Sequence, residues 1–153
     1  MDRMLLTSQY TTRPEGKLRN RAVKTMGRTR KSAKCAGSSF ERLIADYLAD
    51  ELGEDVDRQV KNGANDLGDV RGVKLLGQPV VIECKEYRGQ HNLPEWYREA
   101  ERERDNKGAC VGVVVWKRYG KGKAQDQHVS MTMAEFVRLI KLVNGGVTDG
   151  NQG

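Results

Sequence analysis

Three segments of the chain carry apolar residues at the spacing of an amphipathic helix. The first begins at Ser38 or Ser39 and ends before Gly53. The second follows Pro94 and runs to about Lys107. The third opens with a Thr-x-x-Glu capping box at residues 132–135, and its predicted buried positions are Phe136, Val137, Leu139 and Ile140.

Shorter apolar runs predict strands at about residues 56–60, 69–75, 79–85, 111–116 and 127–131. The run at 111–116 is apolar on both faces, which is typical of a central strand. Together with the helices between them, these strands predict an α/β domain in which helices flank a mixed sheet. The predicted domain covers residues 38–143, between a flexible basic arm at 1–37 and a flexible tail at 144–153.

Positive charge is concentrated at the start of the chain. The formal net charge is +6, but residues 1–37 contain ten Lys/Arg and only two acidic residues. Such an arm is typical of a nucleic-acid contact, although a solubilising tail has the same composition. A basic turn at 117–123 is either a second contact or an ordinary polar loop. The candidate DNA-binding residues are Arg28, Arg30, Lys31, Lys34, Lys117, Arg118, Lys121 and Lys123.

Membrane insertion and secretion are not indicated. No apolar run is long enough to span a bilayer, and Met4-Leu5-Leu6 is too short for the core of a signal peptide. The three cysteines are widely spaced and form no metal-ligand pair. We therefore expect a cytoplasmic protein.

The run at 80–85 combines a buried-strand pattern with an acid and a base. Strand periodicity places Glu83 and Lys85 on one face, opposite Val80, Ile82 and Cys84. Asp69 begins the preceding strand-like stretch, so a hairpin would bring it near Glu83. Two carboxylates and a lysine are suited to holding Mg²⁺ and polarising a phosphodiester. The alternative is a surface Glu83–Lys85 salt bridge on an edge strand, with Asp69 in a turn.

Several other polar residues are weaker candidates. The backbone carbonyl of Cys84 is a further metal ligand in this interpretation. Glu41 either reaches the sheet or caps the helix by bonding back to Ser38, and spacing does not separate these roles. Asp66 is interpreted as a turn former, with a metal ligand as the less favoured alternative. His91 and His128 are interpreted as bystanders. The charged run at 95–104 is interpreted as a solvated helix face, and the less favoured alternative is that one of its glutamates lies near the metal.

These residues resemble the PD-(D/E)xK nuclease superfamily and, more closely, the Holliday junction resolvase-like endonucleases of archaea and bacteriophages. The resemblance extends over about residues 38–140. Gly68 occupies the position where the superfamily usually has proline. The matching segments are 40–42, 68–70, 81–85, 96–104, 112–118 and 129–132.

The resemblance implies a restriction-endonuclease-like fold and a Mg²⁺-dependent endonuclease, with Mn²⁺ as a substitute, that cuts branched double-stranded DNA in recombination or repair. It implies that Asp69 and Glu83 bind the metal and that Lys85 is the catalytic lysine. It also assigns Glu41 to the active site and implies a homodimer, since two symmetric cuts need two active sites. The alternatives are a nicking or flap-type nuclease and a non-catalytic DNA-binding module of the same fold.

Overall fold

The structure is a computed structural model that describes residues 29–53, 55–60, 67–88 and 90–148, apart from the side chains of 146–148. The described residues form three α-helices and six strands. The chain order is α1 (Arg30–Leu52), β1 (Asp57–Arg58), β2 (Val70–Arg71), β3 (Lys74–Leu75), β4 (Gln78–Lys85), α2 (Leu93–Lys107), β5 (Val111–Trp116), a 3₁₀ turn (Ala124–Asp126), β6 (His128–Ser130) and α3 (Met133–Thr148). The predicted arm residues 1–28, Asp66 and the last residues of the predicted tail, 149–153, lie outside the described part.

The strands form a mixed sheet with β4 and β5 at its centre. Its order is β1-β2-β4-β5-β6, and the short β3 also pairs with β4. β4 runs parallel to β5 and antiparallel to β2, with Val70 opposite Ile82. The predicted α/β arrangement, a mixed sheet flanked by helices, is therefore confirmed, as is the central position of the apolar run at 111–116.

Side-chain alternation along β4 separates two faces. Val80, Ile82 and Cys84 pack into the larger core, to which α1 contributes Phe40 and Ile44. The opposite face packs against α2, where Trp96 and Ala100 meet Val114 of β5. Glu83 and Lys85 belong to this second face, as the two-residue period predicts.

α1 begins at Arg30 rather than at Ser38 or Ser39, so the predicted start was wrong. The side chain of Thr29 caps the helix by accepting a hydrogen bond from the Ser32 amide at 3.2 Å. Residues 30–37 of the predicted arm are therefore helical. Their side chains are mostly polar and exposed, so no apolar periodicity marks this part of the helix. α3 likewise extends to Thr148, beyond the predicted start of the tail.

α3 presents a different face to the sheet from the one predicted. Phe136, Val137 and Ile140 are 46%, 43% and 43% exposed, so their predicted burial was wrong, whereas Leu139 packs against the core. Glu135 is buried instead, because it pairs with Arg104 of α2 and accepts the Gly112 amide at 2.8 Å. Half of the predicted capping box is present, since Thr132 Oγ1 accepts the Glu135 amide.

α2 lies unusually close to β5 at Gly112. A Cβ atom at this position would lie 2.7 Å from the carbonyl oxygen of Ala100, which is inside van der Waals contact. The close approach fixes the height of α2 above the sheet.

No helix among the described residues is long and apolar enough to cross a membrane.

Candidate active site

Glu83 and Lys85 form a buried ion pair at the carboxyl end of β4. The residues are 5% and 8% exposed, and Nζ of Lys85 lies 2.6 Å from Oε1 of Glu83. Because β4 is paired on both sides, by β2 and by β5, the alternative of a surface salt bridge on an edge strand was wrong. Burying two charges is costly unless they are paired, and this pair occupies a position that apolar residues would fill more cheaply.

Asp69 lies beside this pair, on the neighbouring strand. Val70 is opposite Ile82, so the antiparallel register places Asp69 next to Glu83. The buried Asp69 carboxylate accepts the Cys84 amide at 2.8 Å, and its own amide donates to the carbonyl of Ile82. Since the N–H and C=O groups of one strand residue point to the same side, the Cys84 carbonyl is also directed towards Asp69.

Gly68 occupies the position where the PD-(D/E)xK superfamily usually has proline, and its backbone conformation explains why proline is absent here. Its φ is +92°, whereas proline is restricted to about −65°. A Cβ atom here would also lie 3.1 Å from the Ile82 carbonyl oxygen. The turn that presents Asp69 to β4 therefore requires glycine in this protein.

α2 supplies two carboxyl groups that sequence reasoning did not single out. The ammonium group of Lys85 also donates to Oε2 of Glu99, and Glu103, one turn further on, is fully buried beside Glu83. The alternating acidic and basic residues of this segment predicted a solvated face. The available signal was spacing: Glu103 continues the stripe of Trp96 and Ala100, which are buried against the sheet.

The electrostatics of the pair follow from burial and from these neighbours. The pKa of Glu83 is raised to about 7, chiefly by burial; the positive charge of Lys85 opposes this shift and Glu103 adds to it. Burial alone would lower the pKa of Lys85, but Glu83 and Glu99 outweigh it and raise the pKa above its ordinary value. Together with Asp69, the site therefore holds one ammonium group and four carboxyl groups, those of Asp69, Glu83, Glu99 and Glu103.

Glu41 approaches from the α1 side of the sheet. It lies in the middle of α1, so the alternative that it caps the helix start was wrong. Arg58 of β1 holds its carboxylate, with Nε 2.7 Å from Oε2. Burial raises the pKa of the Cys84 thiol, and the charges of Asp69, Glu83 and Glu41 add to the shift. Glu41 is thus close enough to influence Cys84, although its carboxylate is engaged by Arg58.

A cationic groove flanks the end of β4. The Lys117 amide donates to the Lys85 carbonyl at 3.0 Å, which places the start of the basic turn at the carboxyl end of β4. Gln127 braces this turn by accepting the Arg118 amide and donating to the Lys123 carbonyl at 2.6 Å. The groove has a volume of about 510 Å³ and is lined by Glu86, Arg88, Lys117, Arg118, Tyr119 and Gly120.

The other predicted DNA contacts are distributed around this groove and on α1. Lys121 and Lys123 are exposed on the turn. The guanidinium group of Arg118 donates a hydrogen bond to the Asp126 carbonyl at 3.2 Å. Arg30, Lys31 and Lys34 are exposed on the first turns of α1. Arg28 lies outside the described residues. Arg88, which sequence reasoning missed, has φ of 50°, a conformation rare outside glycine.

The oxygen atoms at the site suit a divalent cation that needs only a few ligands from the protein. Within the described ranges, no group of three or more His, Cys, Asp and Glu side chains is arranged to hold a metal ion. The available oxygens are those of Asp69 and Glu83 and the Cys84 carbonyl. Oε2 of Glu83 is buried and receives no hydrogen bond. Mg²⁺ commonly binds through one or two carboxylates and completes its shell with water and phosphate oxygens.

Comparison of the chain with protein-family models, with curated proteins and with solved structures gave no match. The class of protein therefore has to be inferred from the site itself. Its defining features are a buried acid–base pair on a central strand, a second carboxylate in register beside it, and a cationic groove at the same end of the sheet.

Proposed function

We propose that the protein is a metal-dependent DNA endonuclease with a restriction-endonuclease-like fold, of the PD-(D/E)xK type. Within that class, we propose a Holliday junction resolvase that cuts branched DNA. The burial of Glu83 and Lys85 as a pair, in register with Asp69, supports the nuclease class most directly. Apolar residues would fill this position at lower cost, so a functional role accounts for the pair more readily than a structural one.

In this proposal Asp69, Glu83 and the Cys84 carbonyl hold Mg²⁺, for which Mn²⁺ can substitute. The bound ion would supply a water molecule of lowered pKa and neutralise charge on the scissile phosphate. Lys85, fixed between Glu83 and Glu99, contributes a positive charge that orients water or stabilises the developing negative charge. Glu103 lies beside Glu83 and raises the pKa of its carboxyl group.

The cationic groove supports DNA as the substrate. Arg88, Lys117 and Arg118 line a surface that begins at the Lys85 carbonyl, so a backbone bound there would pass the ion pair. Contacts of this kind position a nucleic acid without reading its sequence. The basic residues of α1 and of the segment before it would extend the contact. Action on DNA is consistent with the cytoplasmic location expected from the sequence.

We also propose a homodimer, for which α3 offers a surface. Met133, Phe136, Ile140 and Val143 are each at least 40% exposed among the described residues, and they follow the alternating three- and four-residue spacing of a helix-pairing seam. Two copies joined through this seam would form a symmetric contact and carry two active sites. Phe136→Glu should convert the dimer to a monomer in light scattering. A monomeric wild-type protein would contradict this part of the proposal.

The central experiment measures cleavage of a synthetic four-way junction with and without Mg²⁺. We expect cutting by the wild-type protein and a loss of at least 100-fold in Asp69→Asn, Glu83→Gln and Lys85→Met. Asp50→Asn is the matched control, because Asp50 is an exposed carboxylate of α1. Metal binding has a second readout, since Mg²⁺ should raise the unfolding midpoint of the wild-type protein but not of Asp69→Asn.

The choice of DNA separates the remaining possibilities. Linear duplex, flap and single-stranded DNA are tested beside the junction, and preferential cutting of the junction is expected. Preference for flaps would replace the resolvase by a flap-type nuclease. Tight binding without cutting of any DNA, at all Mg²⁺ and Mn²⁺ concentrations, would identify a non-catalytic DNA-binding module instead.

A further inference from the structure

Five rings form a continuous cluster across the ends of β4, β5 and β6. Tyr87 stacks on Trp96 with centroids 5.4 Å apart, and His91 lies 4.6 Å from Trp116. His128 contacts the same indole at 4.4 Å. The two histidines predicted to be bystanders are therefore part of this cluster. Both tryptophans of the chain belong to it as well.

A pocket of about 300 Å³ opens between this cluster and α2. Tyr87, His91 and Trp96 form part of its lining, together with Gln90 and with Asn92, whose side-chain amide donates to Glu95. Trp96 is buried, whereas Tyr87 is 53% exposed, so Tyr87 rests on a fixed support and leaves ring surface free to stack. Planar aromatic ligands are bound in this way.

The pocket adjoins the candidate active site. Glu99 lines the pocket and also accepts the hydrogen bond of Lys85, so one carboxylate belongs to both. Tyr87 follows Lys85 by two residues, which is at most about 7 Å of extended chain. A ligand stacked on Tyr87 would therefore belong to a nucleotide close to the scissile phosphate.

Charge distinguishes this pocket from the neighbouring groove. Among the described residues that line it, Glu95 and Glu99 are acidic and none is Lys or Arg. Phosphate is repelled by such a lining, whereas the amino groups of a nucleobase find acceptors in carboxylate and amide oxygens. The adjacent groove, with Arg88, Lys117 and Arg118, has the opposite preference. The two cavities are thus suited to the base and to the backbone of the same strand.

We infer that this pocket binds a single unstacked nucleobase from the branch point of the DNA, stacked on Tyr87 and held by the polar side chains around it. The inference rests on the proposed function and gives a basis for its substrate preference. Extracting a base from an intact duplex costs a few kcal/mol, and the cost is smallest where pairing and stacking are already disturbed. Branched DNA would therefore fill the pocket more readily than linear duplex.

The test couples a protein change to a DNA change in metal-free buffer. Binding of a four-way junction is followed by tryptophan fluorescence, using wild type, Tyr87→Ala and Tyr87→Phe. We expect Tyr87→Ala to bind the junction roughly 5- to 100-fold more weakly, and Tyr87→Phe to bind normally. On a junction with abasic branch-point nucleotides, wild type and Tyr87→Ala should bind equally. Leu76→Ala is the control, since Leu76 is 58% exposed in the turn between β3 and β4 and lines neither the groove nor the pocket.

The opposing outcomes are distinct. Equal weakening of junction and linear duplex by Tyr87→Ala, or no dependence on the branch-point bases, would overturn the inference. So would quenching of the tryptophans by N-acetylarginine amide but not by nucleosides, because an aromatic, acidic pocket also suits a cation. Cleavage in Mg²⁺ is scored separately. Junction cutting without the coupling would refute only the base pocket, whereas coupling without cutting would support the pocket and refute the nuclease.

Discussion

Replacing Gly112 by alanine tests whether the packing of α2 sets the geometry of the site. The added Cβ would lie 2.7 Å from the Ala100 carbonyl oxygen, whereas ordinary van der Waals contact begins at 3.4 Å. The shortfall is therefore about 0.7 Å. The opposing atoms are backbone atoms of a helix, so no side-chain rotation relieves the contact. Either α2 or β5 has to move.

Two consequences follow from a shift of this size. Overpacking of a core contact costs about 1–3 kcal/mol of unfolding free energy. Ala100 directly follows Glu99, so the shift also moves the carboxylate that holds Lys85. Displacements on the order of 1 Å in a catalytic group reduce rates by up to about 100-fold. We therefore expect Gly112→Ala to lower junction cleavage by about 10- to 100-fold.

The assay compares Gly112→Ala with Gly122→Ala. A Cβ atom at Gly122 would meet nothing within 4 Å, so this variant makes the same chemical change without a clash. Urea unfolding, followed by circular dichroism, should show a change within about 0.5 kcal/mol for Gly122→Ala. Cleavage is measured on the same preparations, at a temperature where both variants are folded.

The two readouts can refute different steps. A Gly112→Ala variant with the stability and activity of the wild type would show that α2 does not pack against β5 as described. A variant that loses stability but cuts normally would show that the position of α2 does not govern the ion pair. Equal losses in Gly122→Ala would remove the steric explanation.

Three further predictions concern other contacts. Glu135→Ala should lower the free energy of unfolding in urea by about 3 kcal/mol, because it leaves Arg104 buried without its partner on α3. Arg138→Ala is the control and should cost less than about 1 kcal/mol, since Arg138 is exposed. Equal losses in the two variants would contradict this prediction. Glu99→Gln should lower kcat roughly 10-fold with little change in KM, and an unchanged kcat would exclude a positioning role. Deleting residues 1–28, which contain seven Lys/Arg, should reduce the salt slope of DNA binding by about 0.9 per lost phosphate contact; an unchanged slope would count against the arm.

The parts of the fold that the sequence predicted are those with a strong local pattern. The alternation along 80–85 correctly separated the Glu83 face from the Ile82 face, because a strand has a fixed two-residue period. The apolar run at 111–116 predicted a central strand for a similar reason. The helix after Pro94 was also predicted closely, since Gly108 provides a left-handed C-cap with φ of 62°.

The misses depend on contacts between segments distant in sequence. Glu103 and Glu135 read as solvated or capping residues, and only their partners on β4, α2 and β5 explain their burial. The first turns of α1 are polar and exposed, so no periodicity marked them. The opposite error occurred on α3, whose apolar seam was predicted to be buried and is exposed. An amphipathic pattern shows that a helix has an apolar face but does not show what covers that face.

One helix connects the proposed chemistry to the proposed choice of substrate. Trp96 supports the stacking surface of Tyr87, and Glu99 lines the same pocket while holding Lys85. Both residues lie on α2, whose distance from the sheet is limited by the contact at Gly112. Filling the pocket with a base would therefore act on the helix that positions the ion pair. A substrate that cannot supply an unstacked base leaves that helix without its ligand, so discrimination between branched and linear DNA would reside in the rate of cutting as well as in binding.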